Sequence, residues 1–103
     1  MINLRTINGK IMVNLRLKLH QSLRVEKEPF EFEGEFESGT LIENIRDLLK
    51  NSPTISDLCL SDKGRKPGIL YLSGRTELSS LGLLEELMNE DIELRIVPIL
   101  HGG

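Results

Sequence analysis

Two glycines, Gly102-Gly103, stand directly after a run of strand-forming residues, Ile92 to Leu100. Glycine has no Cβ, so a diglycine segment is narrow and its backbone adopts conformations closed to other residues. Such a segment can thread a channel too tight for side chains and bring the carboxylate of Gly103 to another protein's reactive centre. A carboxylate is a poor acyl donor. Adenylation by ATP converts it into a mixed anhydride with a good leaving group, and a thiolate or persulfide can then attack, giving a thioester or a thiocarboxylate. A chain used in this way needs no base, nucleophile or metal of its own. The sequence has no phosphate-cradling glycine loop, metal-ligand spacing or nucleophile–base constellation. The expectation is a carrier rather than an enzyme. Gly103 is its activated end, and Gly102, His101 and Leu100 thread the activating enzyme. No metal or cofactor is bound, ATP being used by that enzyme.

Other reactive residue types read more plainly. Glu31, Glu33, Glu35 and Glu37 alternate with apolar residues, as the solvated face of a strand does. Cys59 is the one cysteine, so it forms no intrachain disulfide and reads as a small buried hydrophobe rather than a thioester site. His20 has no partner at ligand spacing. Val97 and Ile99, near the tail, and Tyr71 are candidates for a partner-docking surface. The alternative for Val97 and Ile99 is ordinary strand core.

The elements that must hold out such a tail follow from periodicity. Residues 13–19 alternate strictly, with Val13, Leu15, Leu17 and Leu19 on one face, a half-buried strand. Asn8-Gly9 ahead of it is a tight-turn signal. Residues 1–11 are therefore a leader or an extra strand. Residues 28–37 alternate again, and Gly34 predicts a bulge. Thr40 and Glu43 form a capping box at the start of a helix, whose buried face is Leu41, Ile45, Leu48 and Leu49. Asn51-Ser52-Pro53 stops it, and residues 53–68 read as loop. Ile69-Leu70-Tyr71-Leu72 is apolar on both faces, as in a central strand. Leu81, Leu83, Leu84 and Leu87 predict a short helical piece, and Ile92 to Leu100 the last strand. Pro98, lacking an amide hydrogen, is expected to free the tail one residue early.

Strand, strand, helix, strand, short helix, strand is the β-grasp order. The expected fold is α+β, with a mixed sheet of four to five strands, one main helix packed across it and a short second helix. The domain spans residues 12–100, its first and last strands parallel at the sheet centre, and residues 101–103 form a flexible tail.

The chain has 103 residues and a net charge of -3, which fits one domain with no general attraction for nucleic acid or anionic membranes. No apolar run is long enough to span a membrane, and the N-terminus has no signal-peptide core. A single cysteine fits a reducing compartment. The expectation is a monomer in the cytoplasm.

Leu100-His101-Gly102-Gly103 and Pro67-Gly68-Ile69-Leu70, with Glu77-Leu78 and then Gly82, Leu87 and Asp91, stand in the order found in the ubiquitin-related modifier family. The chain resembles that family of sulfur carriers over residues 12–103. More distantly it is similar to the molybdopterin synthase small subunit and the thiamine-pathway sulfur carrier. It departs at Thr76, where the family has an aromatic residue, and at Pro98-Ile99, where the family has Ser-Thr. The resemblance implies an E1-like adenylating partner, a sulfurtransferase or persulfide source, and a thiocarboxylate at Gly103. The sulfur would pass to a tRNA thiolation enzyme, and Gly103 would also become attached to target-protein lysines. Two alternatives remain: the small subunit of a molybdopterin-type synthase, and a non-covalent β-grasp binding module.

Overall fold

The structure is a computed structural model and describes residues 5–7 and 9–99. Strand β1 (Arg5–Ile7) turns through Gly9 into β2 (Lys10–Leu19), and β3 (Glu31–Glu37) follows. Helix α1 (Leu41–Leu48) is capped by Thr40, whose Oγ1 accepts from the Glu43 amide at 3.2 Å and donates to the Glu43 carboxylate at 2.8 Å. Helix α2 (Pro53–Cys59) and a small hairpin, β4 (Leu60–Ser61) with β5 (Gly64–Arg65), lead to β6 (Ile69–Ser73) and β7 (Thr76–Glu77). Two 3-10 turns, Ser79–Leu81 and Leu83–Glu85, precede the last strand, β8 (Ile92–Pro98).

The main sheet runs β1-β2-β8-β6-β7, with β3 on the other edge of β2. β2 and β8 lie parallel at its centre, Leu15 opposite Ile92 and Leu19 opposite Ile96. This is the β-grasp arrangement the element order implied. The long strands are β2, β3, β6 and β8, and β1 and β7 are short additions. Val13, Leu15, Leu17 and Leu19 from β2 and Leu94 and Ile96 from β8 face inward. Leu41 and Ile45 from α1 and Leu49 just past its end join them in the core, as do Ile55 and Cys59 from α2.

Three local expectations change. Gly34 makes no bulge, because the β2–β3 register runs without a break and places it opposite Leu15. Its role is close approach: a Cβ there would lie 3.1 Å from a Leu48 methyl and 3.2 Å from the Phe36 ring. Residues 53–59, expected as loop, form α2, since Pro53 at the first helical turn begins a helix as readily as it ends one. The leucine-rich stretch 79–85 is two 3-10 turns divided by Gly82 at φ +71°, and of Leu81, Leu83, Leu84 and Leu87 only Leu84 is buried.

Candidate functional site

Leu100, His101, Gly102 and Gly103 lie outside the described residues. What the structure describes is the root from which they depart. Lys66-Pro67-Gly68-Ile69 is a β-turn in which the Ile69 amide donates to the Lys66 carbonyl at 3.2 Å. Proline at its second position and Gly68 at φ +84° at its third give the type II arrangement. The turn starts β6 and directs the Gly68 carbonyl at β8. There it accepts from the Ile99 amide at 2.8 Å.

Pro98 therefore does not release the tail early. Along β8, Ile96 accepts from the His20 amide at 2.9 Å and so faces β2, whereas Ile99 faces β6. Backbone groups alternate between the two sides of a strand, so Pro98 directs its missing donor toward β2. β2 has already ended at Leu19. Proline stops the parallel β2–β8 ladder there and leaves the antiparallel β6–β8 ladder intact through Ile99.

On the outer face of the sheet, Leu70 stands opposite Val97 and Leu72 opposite Arg95. Leu70, Leu72 and Val97 are half-buried, and Ile99 is 44% exposed. Together they form an apolar patch at the tail root. Val97 and Ile99, the candidate docking residues, are thus on an accessible face. Tyr71, the third, is not: it is fully buried, one residue out of phase with Leu70 and Leu72. Its hydroxyl donates to the Cys59 carbonyl at 2.6 Å and accepts from the Lys66 amide at 2.7 Å. Tyr71 positions the loop before β6, and Leu70 and Leu72 take its place on the surface. The signal that finds them is strand parity: residues sharing a face with Val97 in an antiparallel pair are Leu70 and its second neighbours.

A carboxylate organises the adjoining turn. Glu77 accepts from the Tyr71 amide at 2.9 Å, from the Ser79 hydroxyl and amide, and from the Ser80 hydroxyl and amide. Partial burial pushes its pKa up, but these donors outweigh burial and hold it at about 2. The Cys59 thiol is pushed up to about 12 by burial, against the opposing pull of Lys66, which leaves no thiolate for nucleophilic work. Among the described residues no group of three or more His, Cys, Asp or Glu side chains could hold a metal ion. No helix there is long and apolar enough to cross a membrane.

No family model matches the sequence, and no curated protein matches it. Solved structures do match the fold. The solution structure of the small archaeal modifier protein 1 (SAMP1) from Methanosarcina acetivorans has a TM-score of 0.68 at 21% identity, covering 89% of this chain and 98% of that one. The solution structure of the Haloferax volcanii HVO 2177 protein has a TM-score of 0.68 at 16% identity, covering 89% of this chain and 88% of that one. The crystal structure of Haloferax volcanii small archaeal modifier protein 1 has a TM-score of 0.65 at 17% identity, covering 85% of this chain and 99% of that one. In topology and in extent, the chain has the ubiquitin-like β-grasp fold of the small archaeal modifier proteins.

Proposed function

We propose that the chain is a ubiquitin-like modifier and sulfur carrier, activated at the carboxylate of Gly103. That carboxylate is exposed either by the chain's own end or by trimming after it. The observation that supports this reading most is the juxtaposition at the tail root. The central strand β8 is paired through Ile99, an apolar row of Val97, Leu70 and Leu72 leads away from that point on the same sheet face, and Leu100-His101-Gly102-Gly103 follows Ile99 at once. The likeness to small archaeal modifier proteins supports the same reading.

In this role an E1-like enzyme docks on the patch and draws the tail into its channel. The Gly103 carboxylate attacks the α-phosphorus of ATP and releases pyrophosphate. A persulfide sulfur from a sulfurtransferase then attacks the acyl carbon and AMP departs. Reduction of the resulting acyl disulfide by a thiol leaves the thiocarboxylate, whose sulfur passes to a tRNA thiolation enzyme in the cytoplasm. Aminolysis of an activated Gly103 by a target-protein lysine gives the conjugated form. The chain supplies fold, docking face and acyl group, and the enzymes supply the catalysis.

The test is pyrophosphate exchange with the cognate activating enzyme, paired with the intact mass of the protein recovered from its host. The native chain is expected to support exchange and to carry one sulfur in place of one oxygen. Deletion of Gly103, or an extension after it that the host does not trim, is expected to abolish both while the far-ultraviolet circular dichroism stays unchanged. Undiminished exchange by an untrimmed extended chain would refute the reading.

A further inference from the structure

At the Ile92 end of β8, away from the tail root, a concavity of about 350 Å³ opens on the surface. Its apolar wall is Leu41, Leu78, Leu83, Leu87, Met88 and Ile92. Leu87 is 66% exposed and Leu83 38%, and Leu81 beside them is 63% exposed. Large apolar side chains clustered in the open, rather than scattered singly, mark an interaction surface.

The backbone beneath is fixed. Leu87 bridges to Thr40, the Leu41 amide donates to the Glu86 carbonyl at 3.1 Å, and the Met88 amide donates to the Gly39 carbonyl at 2.9 Å. Two hydrogen bonds flanking an exposed leucine hold it in place against the start of α1. Displaying an anchor from a rigid support reduces the ordering entropy that binding must overcome.

The rim has one sign of charge. Glu86 and Glu90 line the concavity, Glu85 adjoins it, and no Lys or Arg lines it. None of these three glutamates is in an ion pair among the described residues, in contrast to the paired glutamates of β3. A second copy seated symmetrically would set acidic rim against acidic rim, so complementarity favours a basic occupant.

We propose that this groove docks a basic amphipathic segment of a partner protein, an apolar side chain entering between Leu83 and Leu87 with flanking Lys or Arg meeting Glu86 and Glu90. β8 spans seven residues, roughly 20 Å of strand, so the groove and the tail root are separate enough for two partners at once.

The proposal does not depend on tail chemistry, and its test uses none. The isotope-labelled full chain is titrated in nuclear magnetic resonance with two synthetic amphipathic peptides of the same leucine pattern. One has lysine and the other glutamate at every polar position. The lysine peptide is expected to shift amides within residues 78–92 and to bind at least about tenfold tighter than the glutamate peptide. Leu87→Ser is expected to weaken it about tenfold, consistent with loss of one buried leucine contact. The double variant Glu86→Lys with Glu90→Lys changes only exposed side chains and serves as a second probe. It is expected to remove most of the salt dependence. The proposal is overturned by absence of binding, by equal affinity of the two peptides, or by shifts centred on Leu70 and Val97 instead. Sedimentation showing a dimer that protects Leu87 would overturn it too, in favour of self-association.

Discussion

Across the outer face of the sheet, the β2–β3 half carries Lys10 paired with Glu37, Arg16 with Glu33 and Lys18 with Glu31, whereas the β6–β8 half, beyond the exposed Glu93 and Arg95, carries Leu70, Leu72, Val97 and Ile99 toward the tail. Both halves hang on the same central pair of strands. The ion pairs are exposed, at 3.0 to 3.6 Å, and pairs of that kind contribute about 0–1 kcal/mol each. Their service is to keep the edge strand β3 solvated and unattractive to the edge of another sheet. The apolar half gains nothing from facing water and gains on being covered. The difference teaches that one sheet face can carry two chemistries, and under the proposed function recognition falls to the strands nearest the tail while the charged remainder stays hydrated.

Breaking the apolar half should have the largest consequence. Val97→Asp is expected to lower kcat/KM for adenylation by the activating enzyme about 100-fold, as loss of a central contact in a docking surface does. Thermal unfolding should move little, since Val97 is only half-buried. If activation kept its native rate, the patch would not be the docking face.

An intermediate effect comes from Glu77, the carboxylate at the margin of that half. Its folded pKa of about 2 lies below the ordinary value of 4.5. The unfolded chain therefore takes up a proton before the folded one does. The stability Glu77 contributes is present above about pH 4.5 and is lost as pH falls toward about 2. Glu77→Gln is expected to lower the midpoint of thermal unfolding at pH 7 and to flatten its decline through that window. An equally steep decline in the variant would assign the acid sensitivity to other groups.

The smallest effect is expected from the charged half. Arg16→Ala removes the pair with Glu33 and should reduce stability by less than about 1 kcal/mol, and less still in high salt. Adenylation should be unchanged. A large loss of activation in this variant would erase the distinction between the two halves.

How far the sequence reveals this arrangement depends on the kind of pattern each segment has. β2 and β3 alternate cleanly because one face of each meets water, and α1 announces itself by Thr40 and Glu43 and by the spacing of Leu41, Ile45 and Leu49. The parallel contact of β2 with β8 follows from element order. Ile69-Leu70-Tyr71-Leu72, by contrast, is apolar on both faces, so its composition does not say which residues point outward. Only the register opposite Val97 settles that Leu70 faces out and Tyr71 in. Helix α2 is hidden because a seven-residue helix shows a single buried pair, Ile55 and Cys59, and because Ser52-Pro53 punctuates an end and a beginning alike. The groove at Leu83 and Leu87 escapes for a related reason. Leucines at short spacing read as a buried helical face until Gly82, at φ +71°, divides the turns and leaves most of them in water.

The hydrogen bond from Ile99 to Gly68 also works as a ruler. It anchors the backbone four residues before Gly103. An extended chain advances at most about 3.6 Å per residue, so the carbonyl carbon of Gly103 can lie no more than roughly 17 Å from the anchored Ile99 amide. Under the proposed function, the activating enzyme must therefore place its reactive atoms within one short stride of the sheet, and a deeper cavern would stay beyond reach.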